Sequence, residues 1–274
     1  MKYGTLLRLS SVCEAPEKLA ALREFGMDAC QLIYKPEKYD TADALAIKKA
    51  AEDAGIEISA QFCGYRDSNC IWDTRFDFLN SGINSPFYGG ERVNYLLSAI
   101  PFMKALGVTD MVIHPGFIPN DPFADAYSRM LAAVGLLGTR LRAAGLNLLF
   151  ETGTESPISL LRLILDSRLD NLYINLDTAN PIMYGFGNPV DALYTFGKYV
   201  RNTHFKDGLP PTIPGKLGPE VAIGKGHVDF PKVVSMLKEL GYDRYVIIER
   251  EIGGEEQTRD ILGAMGYIKE LFES

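Results

Sequence analysis

Short runs of apolar and β-branched residues alternate along the chain with longer stretches of helical periodicity. Eight runs are predicted to be strands, at Tyr3–Leu9, Ala29–Ile33, Ile56–Phe62, Asp110–His114, Leu146–Glu151, Leu172–Asp177, Val200–Lys206 and Tyr245–Glu251. Helices are predicted at Pro16–Phe25, Ala42–Ala54, Glu91–Leu106, Ala124–Ala144, Ile158–Leu165, Pro189–Tyr199, Pro231–Leu240 and Glu256–Phe272. This alternation continues from one end of the chain to the other without a linker or a low-complexity tract.

Glycines mark many junctions between these elements. Gly26, Gly55, Gly107, Gly145 and Gly241 each follow a helical stretch and precede a strand, where a left-handed helix C-cap favours glycine. A repeated strand-helix unit of this kind closes most economically into a (β/α)8 TIM barrel. We therefore predict one α/β domain over residues 1–274. An open doubly wound sheet is the alternative, but no GxGxxG motif follows the first strand.

Composition and charge exclude several classes of partner. The 274 residues are 47% hydrophobic, and 28 Lys+Arg against 35 Asp+Glu give a formal charge of −7, which disfavours nucleic acid. No apolar run reaches the ~20 residues that span a bilayer, and the N-terminal segment lacks the apolar region of a signal peptide, so we expect no membrane partner. The four cysteines have no CxxC spacing, which favours reduced thiols and a cytoplasmic location.

Candidate chemistry lies at the ends of the predicted strands, where TIM barrels carry their catalytic residues. The fourth to eighth strands place His114, Glu151, Asp177, His204 and Glu249 at or near their ends. A single carboxylate at a strand end is more often a helix N-cap or a loop salt bridge, but consecutive units with the same feature argue against coincidence. Carboxylates that converge on one barrel mouth repel each other unless a cation lies between them.

The set of candidate ligands restricts the kind of cation. Two Glu, one Asp and one His offer three oxygens and one nitrogen, which suit Mn²⁺ or Mg²⁺ and accept Zn²⁺ or Co²⁺. A purely structural zinc site would favour thiolates instead. We therefore predict one divalent metal, with Mn²⁺ as the first choice.

Five short motifs carry these residues and their neighbours. They are Phe150-Glu151-Thr152-Gly153, Leu176-Asp177-Thr178-Ala179-Asn180, His204-Phe205-Lys206-Asp207, Gly224–Phe230 and Ile248-Glu249-Arg250-Glu251. Their order and spacing resemble the xylose isomerase-like sugar-phosphate isomerase/epimerase superfamily. The resemblance implies a TIM barrel with one metal held by a Glu, an Asp, a His and a Glu after strands five to eight. These ligands correspond to Glu151, Asp177, His204 and Glu249.

The resemblance also implies a reaction. Enzymes of this superfamily isomerise aldoses and ketoses or epimerise ketoses through an enediolate that the metal stabilises. Glu151 and Glu249 are then the acid/base pair as well as metal ligands. The partner is a small-molecule sugar or polyol, and without a Gly-rich phosphate cradle an unphosphorylated one is favoured. Homo-oligomers are common among proteins of this resemblance, and the sequence leaves the oligomeric state open.

Further residues are predicted to bind substrate, each with an alternative. His114 is either a contact of metal or substrate or a hydrogen-bonded pocket histidine, and Asn180 is expected to hydrogen-bond to the substrate and not to hold a second metal. Lys206 is predicted to bind a substrate oxygen, with a Lys206–Asp207 ion pair at a loop edge as the alternative. Glu251 lies on the same side of its strand as Glu249 and becomes the rival ligand if the register shifts.

The same residues also bear on functions other than isomerase or epimerase. A dehydratase acting on an inosose or another polyol uses the same metal scaffold and remains the main alternative. A non-catalytic sugar-binding barrel would lack Glu151 or Glu249, and both are present. The endonuclease branch of the superfamily needs a histidine-rich cluster of several metals, whereas this chain has three histidines. Trp72, Phe76 and Phe78 either stack on a sugar or pack their loop.

Overall fold

Eight parallel strands close into a barrel in a computed structural model that describes residues 1–66, 70, 72 and 80–274. The barrel strands are β1 Lys2–Leu7, β2 Ala29–Tyr34, β3 Glu57–Cys63, β4 Asp110–Ile113, β5 Asn147–Glu151, β6 Leu172–Asp177, β7 Val200–Phe205 and β10 Tyr245–Ile248. Their order around the barrel is β1-β10-β7-β6-β5-β4-β3-β2. Each strand overlaps one predicted strand, so the (β/α)8 prediction is confirmed.

Helices surround the barrel. They are α1 Ala15–Glu24, α2 Thr41–Ala54, α3 Gly89–Leu97, α4 Ile100–Leu106, α5 Asp125–Ala143, α6 Pro157–Ser167, α7 Asn180–Tyr184, α8 Pro189–Phe196, α9 Phe230–Glu239 and α10 Gly254–Glu273. The five junction glycines have left-handed backbone angles, as predicted. Among the helices of the described residues, none combines the length and the apolar character needed to cross a bilayer.

Three local features differ from the predicted elements. The single helix predicted over Glu91–Leu106 is two helices, because Pro101 lies in the first turn of α4 and a proline ring clashes with the carbonyl four residues earlier. The short helix α7 was not predicted. A two-stranded antiparallel sheet of β8 Asp207–Gly208 and β9 Glu220–Val221 lies between the seventh and eighth predicted strands, where no strand is predicted.

The two-residue period of the strands sorts side chains between two apolar layers. On β5, Leu148 and Phe150 belong to the large core between barrel and helices, whereas Leu149 belongs to a small cluster inside the barrel. On β6, Ile174 and Leu176 pack outward in the same way. The last residue of each of these two strands comes one position after an outward-facing residue. Its side chain therefore faces the inside of the barrel at the C-terminal end.

The opposite end of the barrel is tied by a buried carboxylate. Asp110, the first residue of β4, is 1% exposed. Its oxygens accept hydrogen bonds from Nε of Arg201 at 2.8 and 3.0 Å, from Nη2 of Arg244 at 3.2 Å and from the Asn147 amide at 2.7 Å. These contacts join the N-terminal ends of β4, β5, β7 and β10.

Replacing Asp110 with alanine is expected to lower the free energy of unfolding by about 3 kcal/mol, because two partly buried guanidinium groups lose their counter-charge. The matched control is Asp170→Ala, since the Asp170 side chain is 82% exposed and lies 3.5 Å from Arg142. This control should cost about 0.5 kcal/mol or less. Urea denaturation measures both variants. Equal stability of the two would show that the Asp110 contacts contribute nothing.

Candidate functional site

Four side chains meet inside the barrel at the C-terminal ends of its strands. Their ligand atoms all lie within 4.8 Å of one another, and all four residues are buried: Glu151, Asp177, His204 and Glu249. Glu151 and Asp177 are the last residues of β5 and β6, His204 lies on β7, and Glu249 directly follows β10. The register pairs Asp177 with His204 on adjacent strands. The structure thus brings together all four residues that the sequence singled out as ligands.

The imidazole of His204 lies between the two glutamates. Its Nδ1 is 3.0 Å from Oε1 of Glu151 and 2.7 Å from Oε2 of Glu249. The other ring nitrogen, Nε2, is 2.8 Å from Oε1 of Gln31 on β2. Burial lowers the pKa of His204, but the two carboxylates outweigh burial and hold this pKa well above its ordinary value. Without an ion, His204 is therefore a cation shared by both glutamates.

Lys206 supplies a second buried positive charge. Its side chain is 3% exposed, and Nζ lies 2.9 Å from Oε1 of Glu251, 3.7 Å from Oε1 of Glu249 and 4.0 Å from Oδ2 of Asp177. Nζ is also 3.4 Å from Oδ1 of Asn180. Glu251, the rival ligand considered above, has a side chain that is 52% exposed and pairs with Lys206. It lies outside the group of four.

The alternative of a Lys206–Asp207 ion pair is wrong. The Asp207 carboxylate instead accepts hydrogen bonds from backbone N–H groups of its own loop, at Gly208, Gly224, Gly226 and Val228. These donors satisfy the Asp207 charge without a side-chain cation. Lys206 therefore interacts with the carboxylates of the acidic cluster and not with Asp207.

The carboxyl groups of the cluster differ in proton affinity. Burial raises the pKa of Asp177 to about 8, and nearby Glu249 and Glu151 add to the rise against the opposing effect of Lys206. Burial also raises the pKa of Glu249, but the positive charges of Lys206 and His204 outweigh burial and hold this pKa well below its usual range. At neutral pH and without an ion, Asp177 therefore holds a proton while Glu249 is ionised.

The donor set fits one divalent cation. Oδ1 of Asp177 accepts the backbone N–H groups of Ala179 and Asn180 at 2.8 and 2.7 Å, so this residue also orders the start of α7. Its Oδ2 and the Oε2 of Glu151 are buried without a hydrogen-bond donor, which is costly unless a cation supplies the missing interaction. Three carboxylates and one imidazole suit Mn²⁺, Mg²⁺, Zn²⁺ or Co²⁺.

The predicted substrate-binding residues border this cluster. His114 has a side chain 23% exposed, and its Nε2 lies 3.7 Å from Oε2 of Glu151. The Asn180 amide donates to the Thr152 carbonyl at 3.2 Å and lies 3.5 Å from Oε1 of Glu151. Lys206 faces the same cluster. These contacts put all three residues beside Glu151 or Glu249.

An aromatic wall adjoins His114. The ring centroids of Trp72 and His114 are 4.9 Å apart, and Phe62 contacts the same imidazole edge-on at 5.6 Å. These residues line a cavity of about 140 Å³ together with Tyr65. Trp72 therefore lies at the predicted binding face, whereas the predictions for Phe76 and Phe78 fall outside the described residues.

Sequence reasoning missed two polar residues near the site. Gln31 is fully buried and contacts His204 across the barrel; the available signal was one amide inside an otherwise apolar strand. Glu155 lies four residues after Glu151 and is 3% exposed. Burial raises the pKa of Glu155 to about 8, opposed by the hydrogen bond from the Gly153 N–H and supported by Glu151.

Comparison with known proteins shows the family to which the chain belongs. The curated relatives include an inosose dehydratase of Lacticaseibacillus casei, 25% identical over 146 residues. That match covers 46% of this chain and 48% of the relative, so the chain matches only about half the length of that dehydratase. In structure, the chain resembles a xylose isomerase domain protein from Planctomyces limnophilus with a TM-score of 0.89 and 28% identity, covering 98% of this chain and 96% of that one.

Two more distant structures share the fold. One is 3-keto-D-glucoside 4-epimerase from E. coli, with a TM-score of 0.74, 15% identity and coverage of 98% and 99% of the two chains. The other is a xylose isomerase-like TIM barrel protein from Mycobacterium smegmatis in complex with magnesium, with a TM-score of 0.70, 16% identity and coverage of 96% and 89%. The family model described as xylose isomerase-like TIM barrel matches residues 19–271, so the chain belongs to this family.

Proposed function

We propose that the protein is a divalent-metal-dependent sugar isomerase or epimerase. The observation that carries this proposal is the buried cluster of three carboxylates and one imidazole at the catalytic end of the barrel. The fold shared with a 3-keto-D-glucoside 4-epimerase supports it. Two orphaned carboxylate oxygens support a cation at the same place.

The residues that would hold the ion are Glu151, Asp177, His204 and Glu249. We assign Mn²⁺ first, with Mg²⁺, Zn²⁺ and Co²⁺ as alternatives that the same donor set accepts. Such an ion supplies Lewis-acid chemistry, because it polarises a sugar carbonyl and the adjacent hydroxyl, which acidifies the C–H between them. The magnesium complex of the Mycobacterium smegmatis protein supports a dication in this fold.

Glu151 and Glu249 are the proposed acid/base pair. They come from β5 and β10, with β6 and β7 between them in the barrel, so their carboxylates reach the site from different sides. Glu249 is ionised at neutral pH and can remove a proton from carbon. Glu151 would then deliver or receive the proton on the other face of the substrate.

His114, Asn180 and Lys206 are proposed to orient the substrate. The imidazole and the amide offer hydrogen-bonding groups, and the Lys206 ammonium offers one strong donor. The Lys206 charge is already matched by Glu251 at 2.9 Å, which supports a neutral polyhydroxy compound rather than a phosphate at this position. The substrate class is therefore a small sugar or polyol.

A polyol dehydratase is the second candidate, because the partial match to inosose dehydratase specifically favours it. Both reactions begin by removing a proton from the carbon next to a carbonyl. They then differ, since a dehydratase expels a hydroxyl group and its product is lighter by one water. Mass spectrometry of the product from each candidate ketose or inosose separates the two.

Glu151→Gln is expected to keep the fold and lower turnover by about 10³-fold, because the amide cannot exchange a proton. The measurement is Mn²⁺-dependent incorporation of solvent deuterium into candidate ketoses, followed by NMR. Glu239→Gln is the control, since Glu239 is exposed and hydrogen-bonds only to Ser235 within the described structure. Near-normal exchange by Glu151→Gln would refute its acid/base role, and no exchange by the wild type with any ketose or inosose would refute the enzyme assignment.

Adding Mn²⁺ to the chelator-treated protein is expected to raise its melting temperature. At an ion concentration of about 100 times Kd, the gain in stability is about 2.7 kcal/mol. Asp177→Asn should abolish this gain while it keeps an oxygen for the start of α7, because the amide has no charge for the ion. If none of Mn²⁺, Mg²⁺, Co²⁺ and Zn²⁺ shifts the wild-type melting temperature, the metal site is refuted.

Metal affinity is expected to rise with pH. The pKa of Asp177 is about 8 without the ion, so binding must displace its proton at lower pH. Because the His204 imidazole also loses its proton when the ion binds, Kd is expected to fall by about tenfold per displaced proton for each pH unit below the pKa of each group. Calorimetric titration across this range measures Kd. A Kd independent of pH would contradict the protonated states of both Asp177 and His204 in the ion-free protein.

A further inference from the structure

We propose that Gln31 is a positioning residue, which accepts a hydrogen bond from Nε2–H of His204 and thereby directs Nδ1 of the same ring toward the acidic cluster that would hold the metal. This inference rests on the proposed metal-dependent function. It assigns a role to a residue that lies outside the ligand set and on the far side of the barrel, on β2.

The geometry of the contact is specific. Gln31 is fully buried inside the barrel, and its Oε1 lies 2.8 Å from Nε2 of His204. Nδ1 of the same ring faces Glu151 and Glu249 at 3.0 and 2.7 Å. The two nitrogens of the imidazole therefore have separate tasks, since one meets the acidic cluster and the other meets an amide.

The chemistry of the ring determines which amide atom must face it. Nδ1, between two carboxylates, carries either a proton or an ion, and in both states Nε2 keeps its hydrogen and needs an acceptor. Only the oxygen of Gln31 can accept, so the amide is oriented with Oε1 toward the ring. The Gln31 Nε2 has no hydrogen-bond partner, although it is buried. Burying this N–H donor without an acceptor costs free energy, which the hydrogen bond to His204 offsets.

Other neighbours of the ring do not replace this contact. Phe62 packs against the His204 ring at 6.2 Å between centroids, with the planes tilted by 31°. An aromatic neighbour restricts the tilt of the imidazole but does not choose which nitrogen carries hydrogen. Within the described part of the chain, Gln31 is the one hydrogen-bond partner of Nε2. A hydrogen bond of this kind fixes both the tautomer and the orientation of a metal-binding imidazole.

The neighbouring strand offers a matched control. Gln61 on β3 is also fully buried, and its amide donates to the Sγ of Cys63 at 3.4 Å. It pairs in register with Leu32, the residue after Gln31. A substitution at Gln61 therefore removes a buried amide from the same barrel without removing a contact to His204.

The experiment compares Gln31→Met, Gln31→Glu and Gln61→Met with the wild type. Mn²⁺ affinity is measured by competition with a chromophoric chelator, the ligand field by the visible spectrum of the Co²⁺ form, and folding by the melting temperature without metal. Gln31→Met should weaken Mn²⁺ binding by about 10- to 100-fold and alter the Co²⁺ spectrum. Gln31→Glu keeps an acceptor and should preserve both, and Gln61→Met should match the wild type.

Several results would contradict the positioning role of Gln31. Unchanged Mn²⁺ affinity and an unchanged Co²⁺ spectrum in folded Gln31→Met would overturn the role of Gln31 while leaving the metal-dependent function intact. If Gln31→Met does not fold, Gln31→Glu remains decisive, because loss of Mn²⁺ binding in that folded variant would overturn the role. Equal losses in Gln31→Met and Gln61→Met would also overturn it. A wild type that binds neither Mn²⁺ nor Co²⁺ would refute the proposed function itself.

Discussion

Mutual repulsion among buried carboxylates is the constraint on which the rest of the structure depends. Glu151, Asp177 and Glu249 meet in a buried space, where like charges interact strongly and ionised groups lose hydration. The imidazole of His204 and the ammonium of Lys206 place positive charge inside the same space. These groups reduce the repulsion, yet carboxylate oxygens of Glu151 and Asp177 still lack a hydrogen-bond donor. A dication would supply the missing positive charge.

Much of the barrel and the identity of its ligand candidates follow from local sequence pattern. Parallel strands that are covered on both faces read as continuous apolar runs, and a polar residue at the end of such a run is conspicuous. Glu151 and Asp177 are visible for this reason, since each ends a strand whose other residues are mostly buried and apolar. The alternation of inward and outward side chains then brings them into the barrel without further information.

Contacts across the barrel could not be predicted in this way, because they depend on how the strands are staggered when the sheet closes. Gln31 and His204 are 173 residues apart, and neither local sequence carries a sign of the other. The partners of Lys206 were missed for a related reason. Asp207 is the nearest acidic residue in the sequence. Its carboxylate, however, accepts hydrogen bonds from backbone N–H groups in a distant part of the loop and does not pair with Lys206.

The two carboxylate oxygens of Asp177 have different neighbours. One accepts hydrogen bonds from the backbone at the start of α7, and the other faces the acidic cluster. Oδ1 is held by the main-chain N–H of Asn180, which is a property of the peptide bond and not of the side chain. Any residue except proline at position 180 can provide the same N–H. The side chain at position 180, which we propose to contact substrate, can therefore change in engineering or in evolution while this backbone anchor of Asp177 is retained.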